Sequence, residues 1–168
     1  MGDEEGEIPV RLLIVDDHPL VRQALRGMLD REPDIEIVGE AGNGREAVDL
    51  CRALDPNLVL MDVRMPEMDG LEATRAIKHE QPEVGVLMVT MHDNQDYMRE
   101  ATKAGAAGYV LKDATQEEMI TAVRQVLVGE SPLNPTLAAR LLRQLVGEHN
   151  EERPGGGPPS EDPTLRRP

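Results

Sequence analysis

Aromatic residues are almost missing from this chain: of 168 residues none is Phe or Trp, and Tyr97 and Tyr109 are the two tyrosines. Any core must therefore be aliphatic, with the nine Met residues as filler. Basic residues are also scarce, 18 Lys and Arg against 32 Asp and Glu, for a formal charge of −14. That balance opposes phosphate-backbone binding, which needs clustered Lys and Arg, so direct binding to DNA or RNA is not expected. A single cysteine, Cys51, excludes an internal disulfide. The amino terminus, MGDEEGE, is acidic where a secretory signal would be basic and then apolar. Apolar runs such as VLMVTM at 86–91 fall far short of the ~20 residues that span a bilayer. No membrane segment is expected, and a cytoplasmic setting is.

What is present is a 39% hydrophobic chain, enough for one ordinary domain with an appendage. Five short apolar runs recur, at 10–15, 35–38, 58–61, 84–89 and 108–111. Between them lie stretches of helical period, such as Val21, Leu25, Met28, Leu29 and then Ala47, Leu50, Cys51, Leu54. This alternation predicts βα units and a parallel sheet covered on both faces. Runs one, three and four are nearly continuous hydrophobics, as in strands buried on both sides, whereas Ile35-Glu36-Ile37 alternates and belongs at an edge. Helices are expected to start at Pro19, after Asn43-Gly44, and at about Gln116 with Thr115 or Asp113 as cap. The stretch from Asp93 to Ala104 has a thin core face and is the element expected to move. GEAGNG at 39–44 lacks the dinucleotide-binding order of glycines and reads as a turn.

In a sheet of this kind ligands sit beyond the carboxyl ends of the strands, where the strand order reverses. Asp16 and Asp17 follow the first run and Asp62 the third. If the order is 2-1-3-4-5, three carboxylates meet at the switch point, and close carboxylates require a proton or a cation. An oxygen-only set favours Mg²⁺ over zinc. Thr90 ends the fourth run and Lys112 follows the fifth. Three acids, a cation, a hydroxyl and an ammonium suit phosphoryl transfer to an aspartyl nucleophile. Taken singly, Asp-Asp before a helix is a cap, Thr90 and Tyr109 are strand residues and Lys112 is a solvated charge. Jointly, their placement at the ends of separate strands favours a site. His18, His79, His92 and His149 lack the spacing of a zinc site, and Cys51 reads as a small core residue.

At this point the chain resembles the receiver domain of two-component response regulators over roughly residues 10–129, on LLIVDDHPLVRQAL, MDVRMPEMDGLEA, VLMVT and AGAAGYVLKD. DDHPLVRQAL, GYVLKDA and SPLNPTLAARLL are similar to the NarL/LuxR-type regulators. The resemblance implies a flavodoxin-like, doubly wound five-stranded parallel sheet of order 2-1-3-4-5. It implies Asp62 as the acceptor of a phosphoryl group from a sensor histidine kinase. Asp17, Asp62 and the Arg64 carbonyl would bind Mg²⁺ directly and Asp16 through water. Thr90 and Tyr109 match the switch pair, with Tyr109 turning inward on phosphorylation, and Lys112 the phosphoryl-contacting lysine. Arg64 and His92, two residues beyond Asp62 and Thr90, would tune the phosphoryl lifetime.

The expected organisation is an acidic flexible start at 1–8, a receiver at 9–130, an extra C-terminal linker helix at 131–148 and a disordered Pro/Gly-rich linker at 149–168. A homodimer on phosphorylation is expected through the face of the fourth helix, fifth strand and fifth helix or through the leucine stripe at 137–145 of the linker helix, the alternative for the stripe being that it folds back on the domain and is buried. No helix-turn-helix follows, so DNA would be reached through an output domain absent from this chain. The alternative is a stand-alone receiver acting by protein contacts. A phosphohydrolase is less favoured, because such enzymes place nucleophile and acid as Asp-x-Asp after one strand. The expected protein is a phosphoryl acceptor, with self-catalysed phosphorylation and dephosphorylation, and not otherwise an enzyme.

Overall fold

A computed structural model describes residues 9–91 and 95–130. The expected start at 1–8, the linker helix at 131–148, the tail at 149–168, and His92 lie outside the described residues. Strands β1 (Val10–Val15), β2 (Ile35–Ala41), β3 (Leu58–Met61), β4 (Gly85–Thr90) and β5 (Gly108–Leu111) alternate with helices α1 (Pro19–Leu29), α2 (Gly44–Leu54), α3 (Gly70–Glu80), α4 (Gln95–Ala104) and α5 (Gln116–Leu127). All pairings are parallel, in the order β2-β1-β3-β4-β5. This is the flavodoxin-like order, with its reversal between β1 and β3.

Strand alternation divides the core into two layers. Leu12, Ile14, Leu58, Leu60, Leu87, Val89 and Val110 pack with Leu25 and Leu29 of α1 and with Met119, Ala122 and Val123 of α5. The intervening positions, among them Leu13, Val15, Val59, Met61, Val86 and Met88, are buried too, as are Ala47, Val48 and Cys51 of α2 and Ala73 and Ile77 of α3. Each such aliphatic side chain contributes about 1.5–3 kcal/mol on burial, which is why β1, β3 and β4 are almost unbroken hydrophobic runs. Burial, and secondarily Asp55, pushes the Cys51 thiol up to about 12, so it acts as a core residue and not as a nucleophile.

Local chemistry sets the helix starts. Asn43 accepts from the Glu46 amide to open α2. Asp69 with Glu72 and Thr115 with Glu118 form capping boxes on α3 and α5. The cap of α5 is thus Thr115 and not Asp113. At α1, His18 is the N-cap residue with no side-chain capping bond and Pro19 opens the helix.

The turn expected at 39–44 begins later than its glycines suggest. Residues 39–44 are not a turn throughout, because β2 continues to Ala41. The register against β1 shifts between Leu12 and Leu13, which pair with Ile37 and Gly39, so Val38 is bulged out. The bulge breaks the period-two pattern, and Gly39 packs beneath Leu54, whose Cδ1 would have to shift for a Cβ that would otherwise stand 2.9 Å away. Both features make an edge strand look like a loop in sequence.

Candidate functional site

The parallel register carries the acids together. Val15 pairs with Met61, so Asp16 and Asp62 leave the sheet side by side, and the Asp62 amide donates to the Val15 carbonyl at 3.0 Å. On the far side the Lys112 amide donates to the Thr90 carbonyl at 2.7 Å, which brings the ends of β4 and β5 to the same rim. Asp16, Asp62 and Thr90 are three of the four buried polar or charged residues among the described ones, the fourth being Thr74 of α3.

The loop after Asp62 is pinned from both ends. The Gly70 amide donates to Val63 and the Gly44 amide to the Met68 carbonyl, at 2.7 and 2.9 Å. Gly70 lies so close to Asp62 that a Cβ would stand 1.8 Å from the Asp62 carbonyl oxygen. Between the pins Glu67 adopts φ 70°, a left-handed conformation uncommon for a non-glycine residue. Tertiary contacts thus fix the backbone on which Asp62 and Arg64 are displayed.

Side-chain geometry is unequal among the acids. Asp16 Oδ1 accepts from the His18 amide at 2.9 Å, and Asp16 Oδ2 lies 2.7 Å from Lys112 Nζ. Lys112 Nζ is 3.3 Å from Asp62 Oδ1. Arg22, anchored on Glu40, donates to the Asp16 carbonyl. Asp17 Oδ1, by contrast, is buried without a hydrogen bond. His18 Nδ1 is 3.1 Å from it but misaligned for one. The aspartates are therefore not helix caps: neither carboxylate caps α1, and Asp16 is spent on the lysine and on a local turn.

Burial foremost, and then the Asp16 charge, push the Asp62 carboxyl up to about 6, with Lys112 opposing the rise. Burial works against the Lys112 charge, but its bonds to Asp16 and Asp62 outweigh this and hold its pKa above the ordinary value. With all groups ionised, three carboxylates face one ammonium. Asp16, Asp17, Asp62 and His18 each offer a ligand atom within 4.8 Å of the others. The orphaned Asp17 oxygen and the uncompensated charge fit a divalent cation, and a set dominated by carboxylate oxygens fits Mg²⁺.

The structure brings Asp16, Asp17, Asp62, Thr90 and Lys112 to one rim. Tyr109 is already buried, 3% exposed and paired with Met88. The inward turn expected of it on phosphorylation therefore has no outward starting point here. In a chain without Phe or Trp, this ring is the bulkiest apolar group available to cover the inner face of edge strand β5. Two participants have no motif in the sequence. His18 joins the acid cluster, for which its position next to Asp17 was the available signal. Tyr97 of α4 lies under the Arg64 guanidinium, with Cζ 5.4 Å from the ring centroid, and no local signal marks that contact.

Fold and site define the class, a flavodoxin-like α/β domain with an acidic pocket and a lysine at its switch point. The chain belongs to the response regulator receiver domain family, whose model matches residues 12–124. It is 42% identical over 145 residues to the response regulator GacA of Pseudomonas aeruginosa, covering 86% of this chain and 68% of that protein. It is 36% identical to the nitrate/nitrite response regulator NarL of Escherichia coli, covering 79% and 63%. Among solved structures, a LuxR-family two-component response regulator from an Aurantimonas species matches with TM-score 0.78 and 35% identity, over 82% of this chain and 99% of that one. The signal receiver domain of NarL from Mycobacterium tuberculosis matches with TM-score 0.71 and 36% identity, over 73% and 99%. The chain is thus a two-component receiver related to the NarL/LuxR-type regulators, and it spans about two thirds of the length of such curated relatives.

Proposed function

We propose that this chain is a phosphoryl acceptor and that Asp62 is the acceptor residue. The observation that carries the reading is the placement of a buried Asp62 carboxylate at the switch point, 3.3 Å from Lys112 and beside Asp16 and Asp17. An Asp62 oxygen attacks the phosphorus of a phosphohistidine on a sensor histidine kinase. The P–N bond breaks as the acyl phosphate forms, and the released imidazole takes up a proton. Asp16, Asp17, Asp62 and the Arg64 carbonyl would hold Mg²⁺, which when bound neutralises phosphoryl charge. Lys112 pairs with one phosphoryl oxygen and the Thr90 hydroxyl donates to another, while Tyr109 packs behind as the other switch residue. Arg64 and His92 govern access of hydrolytic water. Apart from gaining and losing this group the chain is not an enzyme.

A kinase must bring a protein surface to Asp62. A groove of about 310 Å³ lined by Leu20, Val21, Leu25, Met28, Met91 and Lys112 suits that contact, and Leu20 and Met91 are exposed. Among the described residues no helix is long and apolar enough to cross a membrane; a cytoplasmic setting is proposed on the kinship with the response regulators GacA and NarL. The NarL/LuxR relationship supports transcriptional control through a helix-turn-helix output domain reached across the linker at 131–168, with a homodimer forming on phosphorylation. The other reading is a stand-alone receiver acting through protein contacts.

The test is phosphorylation by a small phosphodonor with and without Mg²⁺. Asp62 should gain a hydroxylamine-sensitive phosphoryl group only with the cation, and Asp62→Asn should abolish it. A label that survives in Asp62→Asn assigns the nucleophile elsewhere, and sustained turnover of phosphate esters would favour a phosphohydrolase.

A further inference from the structure

Lys112 is already committed to Asp16 and Asp62. The next cation along the phosphoacceptor loop is Arg64, which is exposed and, among the described residues, makes no ion pair. Its guanidinium instead lies over the ring of Tyr97, a half-buried residue in the first turn of α4. The contact joins the loop that displays Asp62 to the helix with the thinnest core face, since Ala101 and Ala104 are the buried residues of α4.

We propose that Arg64 and Tyr97 form a latch that holds the start of α4 against the phosphoacceptor loop, and that a phosphoryl group on Asp62 releases it by drawing the guanidinium away. The proposal rests on Asp62 being the acceptor. An exposed guanidinium over this half-buried ring favours the latched state by about two- to five-fold. A charge-assisted hydrogen bond to a dianionic phosphoryl oxygen is worth about ten-fold or more, so the phosphoryl wins the competition. Tyr97 is then a positioning residue: it keeps a cation out of the pocket mouth at rest and restrains α4 through that cation. The Thr90 hydroxyl responds to the same group from β4, and the latch gives α4 a second input from the β3–α3 loop.

The experiment is amide hydrogen exchange across α4, with and without Mg²⁺ and beryllofluoride, in the parent, Tyr97→Leu, Tyr97→Phe, Arg64→Ala and the Tyr97→Leu/Arg64→Ala double variant. In the parent, beryllofluoride should speed exchange in α4 several-fold. Tyr97→Leu should exchange faster at rest and bind beryllofluoride about two- to five-fold more tightly, because no contact has to be broken. Tyr97→Phe retains the ring face and should behave like the parent. In the Arg64→Ala background, Tyr97→Leu should have no further effect on beryllofluoride affinity. An equal effect in both backgrounds means that the ring acts by packing alone, and it overturns the latch, as does unchanged affinity in Tyr97→Leu. A parent that binds no beryllofluoride overturns the Asp62 reading and the release step with it. The resting contact is then judged on the exchange rates of the single and double variants.

Discussion

The Lys112 ammonium stands closer to Asp16, at 2.7 Å, than to Asp62, at 3.3 Å. At rest the lysine is therefore held mainly by the metal-side acid, and a phosphoryl group on Asp62 must draw it across. Removing the lysine leaves buried carboxylates facing one another, which costs about 3 kcal/mol in comparable buried pairs. Lys112→Ala should lose stability of that order near neutral pH. The loss should shrink in acid, as the carboxylates take up protons. Urea melts across the pH range measure this, and a pH-independent loss would assign the effect to packing.

Asp62 titrates at about 6 in the fold against an ordinary 3.8. A carboxyl with a raised pKa is harder to ionise when folded, so its charge subtracts from stability. The penalty is absent below the unfolded value, grows as pH rises from there through 6, and is complete above it. At neutral pH it amounts to about 2–3 kcal/mol. Asp62→Asn should therefore stabilise the metal-free protein by about that much at neutral pH, with the gain fading as pH falls toward 4. Thermal melts without divalent cations check the sign, and stabilisation that persists in acid would contradict it.

Mg²⁺ should depend on Asp17 more than on Asp16. Both Asp16 oxygens already have partners, at 2.9 and 2.7 Å, whereas Asp17 Oδ1 is buried without a hydrogen bond. Asp17→Asn should weaken Mg²⁺ binding by at least ~10-fold and Asp16→Asn by less. The shift of melting temperature with Mg²⁺ concentration reports both. A reversed ranking would show that Asp16 is the direct ligand.

Gly70 and Gly27 should respond oppositely to alanine. A Cβ on Gly70 would lie 1.8 Å from the Asp62 carbonyl oxygen, while nothing lies within 4 Å of one on Gly27 in α1. Gly27→Ala should stabilise by about 0.5–1 kcal/mol through helix propensity. Gly70→Ala must displace the phosphoacceptor loop and should destabilise by more than ~2 kcal/mol. Paired urea melts make the comparison.

The five strands and helices α1, α2, α4 and α5 were legible in the sequence because buried parallel strands leave unbroken hydrophobic runs and surface helices leave a 3.6-residue period, and both are local signals; α3 was not placed. The placement of Asp16, Asp17, Asp62, Thr90 and Lys112 at strand ends was legible for the same reason. The extension of β2 to Ala41 was not, because a bulge at Val38 and a glycine packed under Leu54 erase the alternation. Tertiary structure alone decided that Lys112 pairs first with Asp16, that Tyr109 is already buried and that Arg64 rests on Tyr97. Each depends on the order and register of strands far apart in the chain, which bring together side chains that carry no mark of one another in their own neighbourhoods.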